Sequence, residues 1–370
     1  MLPYIVLTFI IATAAVLLPK PRSSATAGLA ITLAIGMASI AGLRFDVGYD
    51  FGNYVRVFEL SAPLTPGATS VDDSVVGTIA NEPGYRLLNR VAKSLFGDSG
   101  LWFVLLVSSA ATATLAIAGL YRYSPYPFLA LLFYFGVYYL PQGMGQIRQA
   151  LAIGLIALTP SLVIERKPIA FFSIVLFAAS FHYTALTMLP LYWYKRLSVS
   201  YRTLGLLLAA AIIAGLSGVL GSVVVRSLGN LEGLGPFLHS RVTRYVLSGE
   251  SYEFSVGLVQ RLLTALLVLT FHGRYRSVLG KRQGDLLMKM FLVSVIGYFL
   301  FFDFEIIAGR MFLPLKWWDA VILSATPRLF ARPATQMLCF VTLFGLFIFI
   351  ITAEIFSAPV YLPYKSYLFE

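Results

Sequence analysis

Arginine, carboxylate and amide side chains are concentrated between residues 44 and 54, directly after an apolar run at Ala25–Leu43. The residues of this segment that could bind or activate a ligand are Arg44, Asp46, Asp50 and Asn53. Ionisable groups at the edge of a membrane usually serve a charged or hydroxylated ligand. Because binding and catalytic residues are concentrated on loops held by a rigid scaffold, we interpret this segment as the lip of an active site.

Three further polar clusters lie at the ends of other apolar runs. They consist of Gln142, Gln146, Arg148 and Gln149, of His182, Tyr183 and Thr184, and of Asp303, Glu305 and Arg310. Gly143 and Gly145 allow a tight turn that brings backbone N–H groups close to a ligand. The guanidinium of an arginine is a planar fork that matches phosphate oxygens. Together the clusters predict a cavity for a polar, anionic ligand attached to a lipophilic group.

Each of these side chains also has a purely structural interpretation. The arginines could pair with nearby acids or extend to the membrane interface, and Glu305 could simply neutralise Arg310. A lone imidazole such as His182 is often a hydrogen-bonded packing residue, although its ordinary protonation range also suits proton transfer. Lys316 and Asp319 lie three residues apart in an apolar run, a spacing that predicts an internal helical ion pair.

Asp50 is the first candidate for a proton acceptor, with His182 and Glu305 as competitors. Asp50 follows Asp46 by four residues, which is one helical turn, so repulsion between the two carboxylates would make one of them easier to protonate. Arg44 has the opposite effect. The three histidines have no spacing with cysteine or with paired carboxylates that would build a metal site, so we expect neither a metal nor a cofactor.

The composition indicates an integral membrane protein. The 370 residues are 58% hydrophobic and 12% charged, and repeated near-uncharged runs of this kind find no interior in a soluble domain. Since helices satisfy their own backbone in lipid, we predict one integral domain over residues 1–370, an all-α polytopic bundle of about 10–12 transmembrane helices. The first apolar run, Leu2–Leu18, lacks a basic leader and a cleavage site, and is interpreted as a retained span.

The distribution of charge predicts the orientation. Fifteen basic residues share one set of connectors with two acidic residues, and the other thirteen share the opposite side with fifteen acidic residues. Under the positive-inside rule the basic connectors are cytoplasmic, and both termini and the loops at residues 44–100 and 226–254 lie outside. The net charge of +11 therefore orients the chain and gives no reason to expect a nucleic-acid partner.

The apolar runs between the connectors predict the spans. They lie near Leu2–Leu18, Ala25–Leu43, Gly100–Leu120, Tyr126–Leu140, Ile147–Ile164, Leu204–Val225, Ser255–Phe271, Leu286–Phe302, Ile306–Ser324 and Thr335–Phe356. The run Ile169–Tyr194 has basic residues on both sides, which favours two short legs meeting near His182. The leg at Pro168–Phe181 reaches only about 21 Å, against a hydrocarbon core of about 30 Å. The alternative is one long tilted helix with Lys195 outside.

The two outer loops are long enough to carry function. In the first, Pro83 predicts the start of a short helix that continues to Leu95, with one apolar and one basic face, suited to lying on a bilayer surface. The second is rich in glycine and then presents Arg241 and Arg244, which we include among the candidate ligand-binding residues.

Six short motifs, in order along nearly the whole chain, are similar to those of a known family. They are the run from Arg44 to Tyr54 with Phe58, Glu82-Pro83-Gly84-Tyr85, Gln146-Ile147-Arg148-Gln149-Ala150 with Ala152, Phe181-His182-Tyr183-Thr184-Ala185-Leu186, Arg310 after Glu305, and Pro363-Tyr364. In this order and at these spacings the chain resembles the EpsG family of Wzy-like polysaccharide polymerases. That family more often has asparagine before Ile-Arg-Gln and serine after His-Tyr, where this chain has Gln146 and Thr184.

The resemblance implies a GT-C-like, metal-independent glycosyltransferase of exopolysaccharide, capsule or O-antigen synthesis. It would join polyprenyl-diphosphate-linked (undecaprenyl-type) oligosaccharide units at the outer face of the bacterial cytoplasmic, or inner, membrane, alongside a flippase and a chain-length regulator. Cations placed around the departing lipid diphosphate would stabilise its growing charge, an effect worth several kcal/mol. The acceptor hydroxyl needs a carboxylate or an imidazole to take its proton.

Under this resemblance the candidate residues take three roles. The diphosphate candidates are Arg44, Arg148 and Arg310. Further substrate-binding candidates are Asp46, Asn53, Gln146, Gln149, Tyr183, Arg241 and Arg244. The candidates for the catalytic proton acceptor are Asp50, His182 and Glu305.

Two other functions fit the same composition. A flippase or transporter of lipid-linked oligosaccharide would also need many spans and a cationic cavity, but it would place the polar groups near the midplane of two repeats, and no inverted repeat is visible. A ligase that moves a finished glycan onto a lipid or protein would use a similar site on the same side of the membrane.

Overall fold

The computed structural model describes residues 1–18, 23–65, 82–193, 199–219 and 255–369, apart from the side chains of Glu305 and Ile306. Regular structure in these ranges is helical, with a single isolated antiparallel bridge between Arg44 and Ser366. Six helices are long and apolar enough to cross a membrane: Ser24–Gly42, Leu101–Tyr123, Ile147–Ile164, Val256–Leu279, Lys281–Leu300 and Pro333–Ser357. The predicted all-α, polytopic fold class is confirmed.

The described ranges contain sixteen α-helices, numbered in chain order. They are α1 (Leu2–Leu17), α2 (Ser24–Gly42), α3 (Phe51–Leu60), α4 (Pro83–Phe96), α5 (Leu101–Tyr123), α6 (Pro127–Tyr134), α7 (Ile147–Ile156), α8 (Thr159–Ile164), α9 (Pro168–Ala179), α10 (Tyr201–Leu216), α11 (Val256–Leu279), α12 (Lys281–Leu300), α13 (Glu305–Arg310), α14 (Leu313–Lys316), α15 (Asp319–Ala325) and α16 (Pro333–Ser357). A π-helix spans Phe135–Gly145, and short 3₁₀ helices span Gly97–Ser99, Tyr183–Trp193, Thr326–Leu329 and Pro359–Tyr361.

The centre of the bundle is formed by α6 and α15. Every residue of both helices is buried, from Pro127 to Tyr134 and from Asp319 to Ala325. A helix that is apolar on all sides belongs inside a bundle, whereas the more peripheral α16 buries only three of its residues, Phe347, Ile351 and Ile355.

The π-helix continues directly from α6 and contains Pro141. Long π-helical stretches are rare and are concentrated at functional sites. At Gly136 a Cβ atom would lie 2.8 Å from Cγ1 of Ile351, so only glycine allows α16 to approach this closely. The close approach brings the end of α16 alongside the wide π turns.

The run predicted to span the membrane near Ile306–Ser324 is not one uninterrupted helix. The stretch is broken into α13, α14 and α15, and Pro314 opens the second of these short helices. Proline has no N–H to donate and its ring displaces the preceding turn, so a break is expected at this point. The break places Lys316 at the end of α14 and Asp319 at the start of α15, where both side chains are buried.

The prediction of two short legs meeting near His182 is confirmed. Helix α9 ends at Ala179, and the 3₁₀ helix Tyr183–Trp193 returns alongside it. Aromatic packing joins the legs, with the ring of Tyr192 lying 5.2 Å from that of Phe172. The alternative of one long tilted helix is therefore wrong. Pro190 inside the second leg is incompatible with a regular α-helix there.

One end of the bundle, called here the loop end, carries α3, α4 and the C-terminal segment of residues 359–369. The predicted helix from Pro83 is confirmed as α4, and it buries Tyr85, Asn89 and Ala92. Helix α3 is a feature that the sequence reading missed. The backbone N–H groups of Gly84 and Tyr85 both donate to the carbonyl oxygen of Ser180, at 2.8 and 3.3 Å, which fixes α4 to the hairpin.

The C-terminal segment pairs with the chain that leaves α2. The N–H of Phe45 donates to Lys365 at 3.0 Å, and the N–H of Tyr367 donates to Leu43 at 2.9 Å. Gly48 has a φ of +104°, and a Cβ there would collide with the carbonyl oxygen of Met144. Only glycine fits this position, which lets the loop pack tightly on the end of the π-helix.

Candidate functional site

A cavity of about 780 Å³ lies at the loop end, within the usual size range of small-molecule sites. Its walls come from the π-helix, the first turns of α11, the short helices α13 and α14, and the last turns of α16. The charged side chains that line it are Arg261, Arg310, Lys316 and Glu354. Three amide side chains, Gln142, Gln146 and Gln260, accompany them. The cavity therefore combines cations with groups that can both donate and accept hydrogen bonds.

The predicted ion pair of Lys316 and Asp319 is confirmed. Lys316 and Tyr138 line the cavity, whereas Asp319 does not. Nζ of Lys316 lies 2.7 Å from Oδ2 of Asp319 and 2.9 Å from the hydroxyl of Tyr138. That hydroxyl donates to Oδ1 of Asp319 at 2.7 Å, and Gln260 donates to Oδ2 at 3.3 Å. Buried ions persist only when paired and hydrogen-bonded, a condition that this network meets.

Arg261 is the feature that most directly indicates an anionic ligand. Its side chain is 8% exposed, and its guanidinium lies 4.2 Å from the centre of the Tyr298 ring. Within the described ranges no carboxylate lies at ion-pair distance from it. A largely buried cation on the wall of a cavity, supported by an aromatic ring, can accept a ligand as its counter-ion.

Three residues of the predicted polar clusters, Gln142, Gln146 and Arg310, line the cavity. Arg310 is exposed at the end of α13, and its carbonyl oxygen accepts a hydrogen bond from Nε2 of Gln149 at 2.7 Å. Gln149 is 1% exposed, so it holds the Arg310 backbone in place from behind the wall.

His182 and Tyr183 lie on the hairpin beside the cavity and are not among the side chains that line it. Nδ1 of His182 is 2.8 Å from Oγ1 of Thr184, and that oxygen also accepts from Nε2 of Gln149 at 3.3 Å. A chain of hydrogen bonds thus connects His182 to the backbone that carries Arg310. His182 can therefore influence the cavity through this chain, by helping to position the backbone of Arg310.

Arg148 is turned toward α4. It forms an ion pair with Glu82 at 2.7 Å and lies over the ring of Tyr85 at 5.5 Å. Burial raises the pKa of Tyr85 to about 12, so its hydroxyl stays neutral beside the arginine. With its fork committed to a carboxylate, Arg148 is placed to hold α4 against α7, and this geometry favours the structural interpretation that the sequence left open.

Arg44 is completely buried, with 0% of its surface exposed. Its guanidinium donates to the carbonyl oxygen of Val47 at 2.9 Å and to that of Ala41. These contacts close the end of α2, whose last carbonyl groups otherwise have no partner. The geometry again favours a structural role, because these donors of Arg44 are directed at the backbone.

The prediction that Asp46 and Asp50 lie one helical turn apart is wrong. Asp46 has a positive φ of 50°, and helix α3 begins only at Phe51. Asp46 is exposed and lies 3.7 Å from Nζ of Lys365, while Asp50 accepts from Asn53 at 3.4 Å. The two carboxylates are therefore not placed one above the other on a helix, and the repulsion predicted from that spacing loses its basis.

A family comparison covers almost all of these elements. The model of the EpsG family matches residues 29–366. The chain belongs to the EpsG family. The match includes the π-helix, the hairpin, α11, the broken stretch and α16, and hence every wall of the cavity. Neither the curated proteins nor the solved structures contain a match.

Some predicted residues of this EpsG-family chain lie outside the described residues. Arg241 and Arg244 fall in the range 220–254, and the side chain of Glu305 is likewise not described. Their roles, including the neutralisation of Arg310 by Glu305, stay predictions. In the ranges that the structure describes, no group of three His, Cys, Asp or Glu side chains could hold a metal ion.

Sequence reasoning missed Arg261 and Glu354 in this EpsG-family cavity. Both lie inside runs that were assigned as spans, at Ser255–Phe271 and Thr335–Phe356. The available signal was the charge itself, since an ionisable residue within a membrane segment indicates function by default.

Proposed function

We propose that this EpsG-family protein is a polysaccharide polymerase, a glycosyltransferase that joins polyprenyl-diphosphate-linked oligosaccharide units. The observation that carries the proposal is the cavity at the loop end, with cations on α11, α13 and α14 and amides on the π-helix. Family membership supports the reaction class, and the cavity supplies groups suited to its substrate.

The cationic wall, formed by Arg261, Arg310 and Lys316, is the proposed diphosphate site. As the glycosidic bond breaks, negative charge collects on the departing lipid diphosphate, and cations already in place stabilise it without reorganising. Arg261 and Arg310 carry most of this role because each presents a planar fork. Lys316 contributes less, since Asp319 already neutralises it at 2.7 Å.

The amides of Gln142, Gln146 and Gln260 are proposed to bind sugar hydroxyls. Each amide offers two N–H donors and a carbonyl acceptor, which matches a hydroxyl that both donates and accepts. Gln142 lies near the end of the π-helix, and Gln146 directly follows its last residue, Gly145. The N–H of Gln146 donates to the carbonyl oxygen of Gln142 at 2.7 Å, and both amides line the same cavity.

The outer face of the cytoplasmic membrane is the proposed site of reaction. The cavity lies at the same end of the bundle as α3 and α4. These two helices belong to the loop at residues 44–100, which the positive-inside rule places outside. A glycan assembled there would extend away from the cytoplasm while its lipid carrier stays in the bilayer.

The deciding experiment supplies the purified full-length protein in nanodiscs with a polyprenyl-diphosphate-linked repeat unit. The expected product is a ladder of chain lengths. Arg261→Gln should lose the ladder, whereas Arg276→Gln, an exposed arginine at the other end of the same helix, should keep it. A single transfer to a non-polymer acceptor would instead indicate a ligase, and movement of the substrate across the membrane without new bonds would indicate a transporter.

A further inference from the structure

We propose that Glu354 is the residue that takes the proton from the acceptor hydroxyl, an inference that rests on the polymerase function proposed above. It is the one carboxylate among the described side chains that line the cavity. Sequence reasoning did not consider it, because it lies in the last turn of an otherwise apolar helix, α16.

The carboxylate of Glu354 is oriented but not neutralised. Oε1 accepts a hydrogen bond from the hydroxyl of Tyr361 at 3.2 Å. Oε2 accepts no hydrogen bond, and no cation lies at ion-pair distance, among the residues that the structure describes. One oxygen therefore fixes the orientation of the group, and the other is available to a substrate hydroxyl.

The partner of Glu354 is itself rigidly held. Tyr361 is 0% exposed, and its carbonyl oxygen accepts from the hydroxyl of Tyr4 at 3.3 Å. The ring of Tyr49 packs edge-on against that of Tyr361, with 5.8 Å between their centres. A catalytic side chain needs this kind of second support to stay in a productive orientation.

The other described carboxylates near the loop end are less suited to accept a proton from a substrate. Asp319 is 0% exposed and accepts hydrogen bonds from Lys316, Tyr138 and Gln260. Glu82 is paired with Arg148, and Asp50 does not line the cavity. Glu354 alone among the described residues combines a free oxygen with a position on the cavity wall.

The placement of Glu354 also fits the geometry of glycosyl transfer. The cationic wall belongs to α11, α13 and α14, whereas Glu354 comes from α16, which the close contact at Gly136 holds against the π-helix. A donor with its diphosphate on the cationic wall and an acceptor hydroxyl on Glu354 would both be bound in the same cavity. Holding two reactants in this way supplies much of the rate of a transfer reaction.

Glycosyl transfer forms one bond at the anomeric carbon of the donor and breaks another. The oxygen of the acceptor hydroxyl forms a bond to the anomeric carbon of the donor, and the bond between that carbon and the phosphate oxygen breaks. The diphosphate leaves with the electron pair of the broken bond. The hydroxyl proton passes to Oε2 of Glu354, which becomes a neutral carboxylic acid and later returns the proton to water.

The test compares two variants of Glu354 and two control variants in the ladder assay, with binding of the lipid-linked unit measured separately. Glu354→Gln keeps the size of the side chain and an acceptor for Tyr361 but removes basicity. We expect its turnover to fall about 10²–10⁴-fold, the range typical of a lost general base, with KM for the lipid-linked unit within a few-fold of wild type. Glu354→Asp should recover part of this loss.

Two controls separate catalysis from structure. Tyr361→Phe removes the hydrogen bond and keeps the carboxylate. If Glu354 were merely structural, this variant should be at least as damaging as Glu354→Gln, which keeps an acceptor for Tyr361. We expect the fold-decrease in turnover of Tyr361→Phe to be less than a tenth of that of Glu354→Gln. Glu59→Gln, an exposed carboxylate on α3 away from the cavity, should polymerise like wild type.

The outcomes are distinct. A normal ladder from Glu354→Gln overturns the role of Glu354 but not the polymerase function. Equal losses of turnover in Glu354→Gln and Tyr361→Phe have the same meaning. A wild-type protein that makes no ladder overturns both.

Discussion

The ion pair between Arg148 and Glu82 makes the sharpest prediction about structure. The two side chains are 18% and 7% exposed and lie 2.7 Å apart. At an effective dielectric constant of about 20 their attraction is about 6 kcal/mol, most of which offsets the cost of removing two charges from water. Removing one partner leaves the other charge buried, which typically costs about 3–5 kcal/mol.

We therefore expect Glu82→Gln and Arg148→Gln each to destabilise the protein by about 3 kcal/mol, and the double variant to cost no more than either single one. Purified variants in nanodiscs would be compared by denaturant unfolding, with Lys167→Gln as a control because its pair with Glu165 is exposed. Additive losses in the double variant would refute the pairing.

Activity measured on the same variants separates the two interpretations of Arg148. If Arg148 only holds α4 against α7, the double variant should regain polymerisation along with stability. A double variant that is stable but inactive would show that the guanidinium also contacts the substrate, as the sequence first indicated.

Three further predictions follow from other contacts. Asp319→Asn should destabilise the protein by about 3–5 kcal/mol by leaving Lys316 charged and unpaired, and adding Lys316→Met should restore most of the loss, as read by thermal unfolding. Gly136→Ala should cost about 1–3 kcal/mol through its collision with α16 and should lower ladder formation further by displacing one cavity wall; an unchanged ladder would contradict the close approach. A cysteine at exposed Ser99 should react with an impermeant thiol reagent added from outside, while one at exposed Ser277 should not; the reverse labelling would invert the orientation.

The sequence was sufficient where a strong local signal marks a boundary. Pro83 correctly marked the start of α4, and the basic residues around Ile169–Tyr194 correctly indicated a two-legged hairpin. The first prediction used the preference of proline for the first turn of a helix, and the second used the preference of basic residues for one side of a membrane. Such sequence signals act over a few neighbouring residues, so they can be interpreted without knowing which distant residues pack against them.

The cavity could not be assembled from the sequence, because its walls are remote from one another along the chain. Gln142 and Gln146 precede Arg261 by more than a hundred residues, and Glu354 follows almost a hundred later. Reading along the chain groups polar residues that are neighbours in sequence, and so it favoured the crowded segment after α2. In the structure, Arg44 in that segment is committed to the backbone.

Arg148 illustrates a second limit. Its residue type and position at the start of α7 suit either a ligand or an ion pair, and only the partner decides between them. That partner, Glu82, lies 66 residues earlier in the chain and reaches Arg148 through the docking of α4 on the hairpin. Long-range pairing of this kind is set by the fold.

The pairing of the C-terminal segment with the chain after α2 bears on how the protein is made. The hydroxyl of Ser366 donates to the carbonyl oxygen of Leu43, 323 residues earlier, and the N–H of Gly48 donates to Val360. During synthesis the segment after α2 is made well before the residues whose backbone groups pair with it, so its own groups stay unpaired until the C-terminal segment docks. Glu354 and its partner Tyr361 likewise lie late in the chain. A nascent chain that stops before Glu354 therefore lacks both this docking contact and the proposed proton acceptor.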